Sequence, residues 1–164
     1  MTPAELRTLR EACGLSLPQL ATLAGVQERT ARYWESGQSN VPADVADVVL
    51  RLDGHLSLAA QQAVDAVADF ARARPEGELA DIVFLRYRSD ADLHRYRPDM
   101  VGLPATAHAA IVYRTRAVLA GSGIPCRIVY MVPDAYTDWR GARVDSETLR
   151  AEWAGLQVPE GDRL

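Results

Sequence analysis

Leu15-Ser16-Leu17-Pro18-Gln19-Leu20-Ala21-Thr22-Leu23-Ala24-Gly25-Val26-Gln27-Glu28-Arg29-Thr30-Ala31-Arg32-Tyr33-Trp34-Glu35-Ser36-Gly37 holds two helix starts and two helix stops. Ser16 has the side chain of an N-cap, Pro18 suits a first turn that needs no amide donor, and Gln19 stands where it can reach back to the cap. Ala24-Gly25 ends that short helix. Gln27 precedes a second one, and Gly37 supplies its left-handed stop. Leu20, Leu23, Ala31 and Trp34 form the apolar side. Val26 is the buried residue just before the second helix, and Gln27, Glu28, Arg29, Thr30, Arg32 and Tyr33 form its polar face.

Upstream, Thr2-Pro3-Ala4-Glu5 repeats the capping logic and starts a helix that runs to Ala12 and stops near Gly14. Downstream, Asn40-Val41-Pro42 opens a fourth segment from Ala43 to Leu52, with Val45, Val48, Val49 and Leu52 at helical spacing and Asp53-Gly54 as its end. Four helices this short cannot bury their apolar faces separately and are expected to pack as one bundle over residues 1–54. Ser57 is read as the cap of a longer helix over residues 58–73, with Ala60, Val64, Val67 and Ala71 in one stripe. It either joins the bundle or serves as a connector and dimer seam, so residues 55–78 are read as connector helix and linker. Arg74-Pro75-Glu76-Gly77-Glu78 is the clearest break in the chain.

Beyond it the period changes. Residues 81–88 read as a strand with Val83, Leu85 and Tyr87 on one face, and residues 126–132 as a second strand. Between them lie a short helix capped by Ser89 and a longer one from Pro104 to Gly121; Ser146 caps a last helix, Glu147 to Leu156. The expected fold class is therefore mainly α with a small α+β part, the latter over residues 79–164. Two strands make a marginal sheet, and pairing with a second copy would complete it.

The composition sets limits on function. All 18 basic residues are arginine, and the chain carries a net charge of −4. Residues 1–54 hold five arginines against seven acidic residues, a net of −2, so nucleic-acid binding there must rest on where particular arginines sit. No apolar run approaches the roughly 18 residues of a membrane helix. The start lacks a basic leader and an apolar h-region, so the expectation is a cytoplasmic protein, with Cys13 and Cys126 as reduced thiols.

A small residue at the bend, a buried residue after it and a polar leading turn are what a helix-turn-helix needs to seat its second helix in the DNA major groove. The residues Leu15 to Ala21, Gly25-Val26 and Tyr33 to Gly37 resemble the Cro/cI-type (xenobiotic response element) helix-turn-helix family. The run Tyr33-Trp34-Glu35-Ser36-Gly37-Gln38-Ser39-Asn40-Val41-Pro42-Ala43-Asp44-Val45 is further similar to the second-class anti-CRISPR-associated repressors and to related uncharacterised bacterial regulators. That resemblance implies a lambda-repressor-like bundle followed by an α/β dimerisation domain. It also implies a homodimeric repressor that reads inverted-repeat operators in double-stranded DNA, including its own promoter. Arg10 and Glu35 would form the family's ion pair between the first helix and the recognition helix. Leu17 stands where the family has a polar residue, so one phosphate contact is not carried over.

Within this reading Arg29 is the first choice for a base contact, because an arginine on the leading turn can bond guanine O6 and N7 together. Gln27, Thr30 and Arg32 follow. Tyr33 either touches a phosphate or covers the helix, Glu28 either accepts from cytosine or caps the helix, and Gln38, Ser39 and Asn40 face the backbone from the next loop. In the second half, Arg86, Arg88, Arg95, Arg97, Arg114 and Arg116 are interleaved with Tyr87, Tyr96 and Tyr113, a composition that binds RNA or, more commonly, pairs with Asp90, Asp92 and Asp99. His94 with Asp90 reads as a surface ion pair, and His108, in a stripe with Val112, Thr115 and Leu119, as a half-buried structural histidine. Gly121-Ser122-Gly123 lacks the lysine of a phosphate loop, and no metal spacing or nucleophile motif appears, so the expectation is a non-enzyme without cofactor or metal. Two other readings stay open: an antitoxin whose second half neutralises a partner protein, and a ligand sensor with a cavity lined by Tyr87, Tyr113 and Tyr130.

Overall fold

A computed structural model describes residues 1–72 and 82–159. The chain forms two compact units, Met1–Ala59 and Ala60–Leu164.

In the first unit, α1 (Pro3–Ala12), α2 (Leu17–Leu23) and α3 (Glu28–Glu35) are followed by α4 (Ala43–Arg72), whose first half belongs to this unit. Two complete capping boxes start the first two helices. Thr2 N donates to Glu5 Oε2 at 2.6 Å while Glu5 N donates to Thr2 Oγ1, and Ser16 N donates to Gln19 Oε1 at 2.7 Å while Gln19 N donates to Ser16 Oγ. Each box satisfies amides that a helix start otherwise leaves open. Leu6, Leu20, Ala21, Ala31, Trp34, Val45 and Val49 are buried together, with Leu9, Leu17, Val26 and Val41 packed against them.

Helix α4 departs from the expectation of a stop at Asp53-Gly54 and a new cap at Ser57. It runs unbroken from Ala43 to Arg72, and Gly54 does not adopt positive φ. Leu52, Leu56 and Ala60 are buried at successive i+4 positions. Glycine inside a helix costs about 1 kcal/mol, whereas each large side chain buried on that stripe returns about 1.5–3 kcal/mol, so packing overrides the local stop. The breaker-rich stretch 74–78 lies outside the described residues.

In the second unit, β1 (Ile82–Arg86) leads to α5 (Asp90–Tyr96), a 3-10 turn (Pro98–Met100), α6 (Ala105–Gly121) and β2 (Cys126–Tyr130). The strands are parallel and pair in register from Ile82 with Cys126 to Arg86 with Tyr130. A parallel pair needs a long crossover, which α5 and α6 provide. Both strands are shorter than the sequence pattern indicated. The sequence reading also missed α7 (Pro133–Arg140), which precedes α8 (Glu147–Leu156). Helices α6 and α8 pack on β1. The core gathers Tyr87, Leu93, Tyr96, Met100, Met131, Tyr136 and Trp153. The molecule is thus mainly helical, with one small two-stranded parallel sheet among the described residues, and no described helix is long and apolar enough to cross a membrane.

Candidate nucleic-acid interface

The bend between α2 and α3 is built from backbone bonds. Gly25 N donates to Thr22 O at 3.1 Å and Val26 N to Ala21 O at 2.9 Å. Gly25 sits at φ +66°, a conformation in which a side chain is strained. Val26 then drops its side chain onto the core, and this fixes where α3 begins.

On α3 the two faces separate cleanly. Ala31 and Trp34 are buried, Gln27, Glu28, Arg29 and Arg32 are exposed, and Thr30 and Tyr33 are half-buried at the edge. Gln38, Ser39 and Asn40 are exposed in the loop that follows, where Ser39 N donates to Tyr33 O at 3.2 Å. The Ser39 bond thus holds the loop against the last turns of α3. Two of the arginines are held along the helix itself: Arg32 pairs with Glu28 at 2.6 Å, and Arg29 donates from Nε to the Tyr33 hydroxyl. The Arg32–Glu28 pair is surface-exposed and worth at most about 1 kcal/mol, so exchanging Glu28 for a phosphate or a base edge costs little. Gln27 caps α3 by position without a side-chain hydrogen bond, which leaves its amide available.

Arg10 and Glu35 tie α1 to the last turn of α3. Arg10 Nε donates to Glu35 Oε1 at 2.6 Å and Nη2 to Oε2 at 3.3 Å, while Nη1 donates to Leu15 O at 2.7 Å. The two side chains are only 11% and 12% exposed. The hydrogen bond that Arg10 donates to Glu35 outweighs burial and raises the Arg10 pKa, so this guanidinium stays charged.

The second unit disperses most of its sequence candidates. His94 does not pair with Asp90: its Nε2 donates to Leu103 O at 2.8 Å, and Asp90 accepts from Ala105 N at 2.7 Å, so both side chains fasten the α5–α6 connection. Arg97 makes two bonds to Asp99, at 3.0 and 2.8 Å, and Arg88 lies over the Tyr130 ring at 3.9 Å from its centroid. Tyr87, Tyr113 and Tyr130 do not line one cavity. Tyr87 is buried, whereas Tyr113 and Tyr130 are 68% and 44% exposed. The sequence reading also missed a part-buried polar network, in which Asp145 accepts from the Tyr136 hydroxyl at 2.6 Å and from Arg150. Burial, reinforced by the bond to Asp145, pushes the Tyr136 pKa up to about 12.

His108 is more buried than the half-buried reading, at 7% exposed, and its ring meets Tyr87 edge-on at 5.0 Å. Burial lowers its pKa to about 4; Arg97 adds to the fall and Asp99 opposes it. The folded protein thus keeps His108 neutral down to about pH 4, while the unfolded chain takes up a proton below about pH 6.5. In that window the unfolded state binds more protons, so stability falls as pH drops, by up to about 3 kcal/mol across it. Urea unfolding of wild type and His108→Phe at several pH values checks this: the difference between the two profiles steepens between pH 6.5 and 4 and is flat above.

No curated protein matches the chain. Residues 4–80 match a family described as a helix-turn-helix domain, and the N-terminal part of this chain carries such a domain.

Proposed function

We propose that the protein is a sequence-specific transcriptional repressor that binds inverted half-sites as a homodimer, with the second unit holding the dimer. A helix-turn-helix domain already points to a DNA-binding regulator. The observation that carries the finer reading is the leading part of α3, where Gln27, Glu28, Arg29 and Arg32 are exposed while Ala31 and Trp34 are buried beneath them. Such a helix offers arginine forks to guanine edges, and the Arg10–Glu35 pair fixes its pose.

The dimer reading is supported by a sheet that has two strands among the described residues, with Ile128 and Tyr130 of β2 and Val132 just after it substantially exposed. Apolar side chains at such an edge favour a second copy. Two recognition helices would then sit about 34 Å apart, one turn of DNA, or a multiple of it. The similarity of residues 33–45 to anti-CRISPR-associated repressors extends the reading to control of the gene's own promoter.

Fluorescence anisotropy on labelled DNA from upstream of the gene tests it. Arg29→Ala and Arg32→Ala are each expected to weaken specific binding by about 1–3 kcal/mol, roughly five- to 150-fold, with helicity unchanged. Wild-type affinity in both variants would overturn the assignment of α3 as the reading helix.

A further inference from the structure

Within the second unit lies a cleft of about 670 Å³. That is within the roughly 300–1,000 Å³ typical of small-molecule sites. Its walls are apolar and come from Val67 and Phe70 of α4, Phe84 of β1 and Ile111 of α6, with α8 on the remaining side. Polar side chains line it as well: Arg97, His108, and from α8 Glu147, Thr148, Arg150 and Glu152, with the hydroxyls of Tyr87 and Thr115. His108 is more than nine-tenths buried, yet its Nδ1 has no hydrogen-bond partner. Arg97 is taken up by Asp99 and Arg150 by Asp145, while Glu147 and Glu152 add negative charge. The cleft therefore has no uncompensated cation to receive an anion. It offers an apolar slot and, in its wall, one ring nitrogen that is unsatisfied but enclosed, so a bound partner relieves it only once the imidazole turns toward the cleft.

We propose that this cleft binds an uncharged aromatic hydroxy compound of one or two rings, its rings against Val67, Phe70 and Phe84 and its hydroxyl on His108 Nδ1. A hydroxyl both donates and accepts, so it serves either tautomer of the imidazole. A carboxylate would meet Glu147 and Glu152 and paired arginines, and a bare hydrocarbon would leave Nδ1 unsatisfied. Helix α4 gives the site a regulatory meaning: the same helix places Val45, Val49, Leu52 and Leu56 in the first unit's core and Val67 and Phe70 in the cleft wall. Occupancy is thereby coupled to the helix on which the DNA-binding unit is built.

Calorimetric titration of the full chain with 1-naphthol, naphthalene and 1-naphthoate tests the site without reference to DNA. The expected result is saturable binding of 1-naphthol, one per chain, about tenfold tighter than that of the other two. His108→Phe keeps a ring of similar bulk and removes the nitrogen; it should bring 1-naphthol down to the naphthalene level and leave naphthalene unchanged. Ala63→Phe narrows the cleft from α4 and should weaken both. Absence of saturable 1-naphthol binding by the folded wild-type chain overturns the proposal, as does binding that neither variant alters. The regulatory step rests on the DNA-binding reading and has its own readout: saturating 1-naphthol should change operator affinity several-fold in the wild type and not in His108→Phe. An unchanged wild-type operator affinity overturns that step.

Discussion

Glu35→Ala is expected to remove about 3–5 kcal/mol from the stability of the N-terminal unit. Arg10 is the reason: its guanidinium is nearly buried, holds the Leu15 carbonyl on one side and depends on both Glu35 oxygens on the other. Deleting the carboxylate leaves a buried charge without its main partner, a far larger loss than the pair's own net worth. Glu11, at 3.2 Å from Nη2 but half-exposed, recovers only a small part. A unit of this size is stabilised by only about 3–9 kcal/mol, so the variant unfolds substantially near room temperature. Amide hydrogen exchange over residues 3–59 measures the loss directly. The double variant Arg10→Met, Glu35→Leu should regain most of it, because two matched apolar side chains leave no stranded charge. A Glu35→Ala loss below about 1 kcal/mol would mean that the pair merely decorates the surface.

The helix-turn-helix was legible because its signals are local and agree with one another. Caps at Thr2 and Ser16, the bend at Gly25 and the spacing of Ala31 and Trp34 each act within a few residues, and packing reinforces them. The stop at Gly54 was misread because a local preference of about 1 kcal/mol was set against a buried stripe of Leu52, Leu56 and Ala60. Helix α7 was missed for the opposite reason. It has no side-chain cap, and its single buried anchor, Tyr136, looks from the sequence like one more surface tyrosine. The polar leading turn of α3 was readable, but the partners Arg29 and Arg32 take up depend on rotamers that spacing alone does not fix. Of the cleft only Tyr87 was legible: it is part of the lining, whereas Tyr113 and Tyr130 are not. Its walls come from α4, β1, α6 and α8, which are far apart in sequence, and the tyrosines chosen for a cavity were sorted by composition rather than by which side of α6 or β2 they occupy.

Trp153→Ala is expected to cost the second unit about 3–5 kcal/mol, because an indole that is 2% exposed leaves a void its neighbours cannot close. Trp153 carries α8 into the core, where it meets Tyr136 of α7 edge-on at 5.8 Å, beside Tyr87, Leu93, Tyr96 and Met131. None of these residues belongs to the first unit, so α3 and the Arg10–Glu35 pair keep their protection against hydrogen exchange. The consequence for DNA then separates two roles. If the second unit holds the dimer, the variant sediments as a monomer and binds an isolated half-site as the wild type does, while its advantage on the full inverted repeat disappears. Glu35→Ala does the reverse: it keeps the dimer mass and loses half-site binding. A Trp153→Ala chain with a loosened second unit that still sediments as a dimer and retains full-operator affinity would place the dimer contact elsewhere. Two substitutions in separate cores thus assign reading and pairing independently, which the DNA titration of either variant alone does not do.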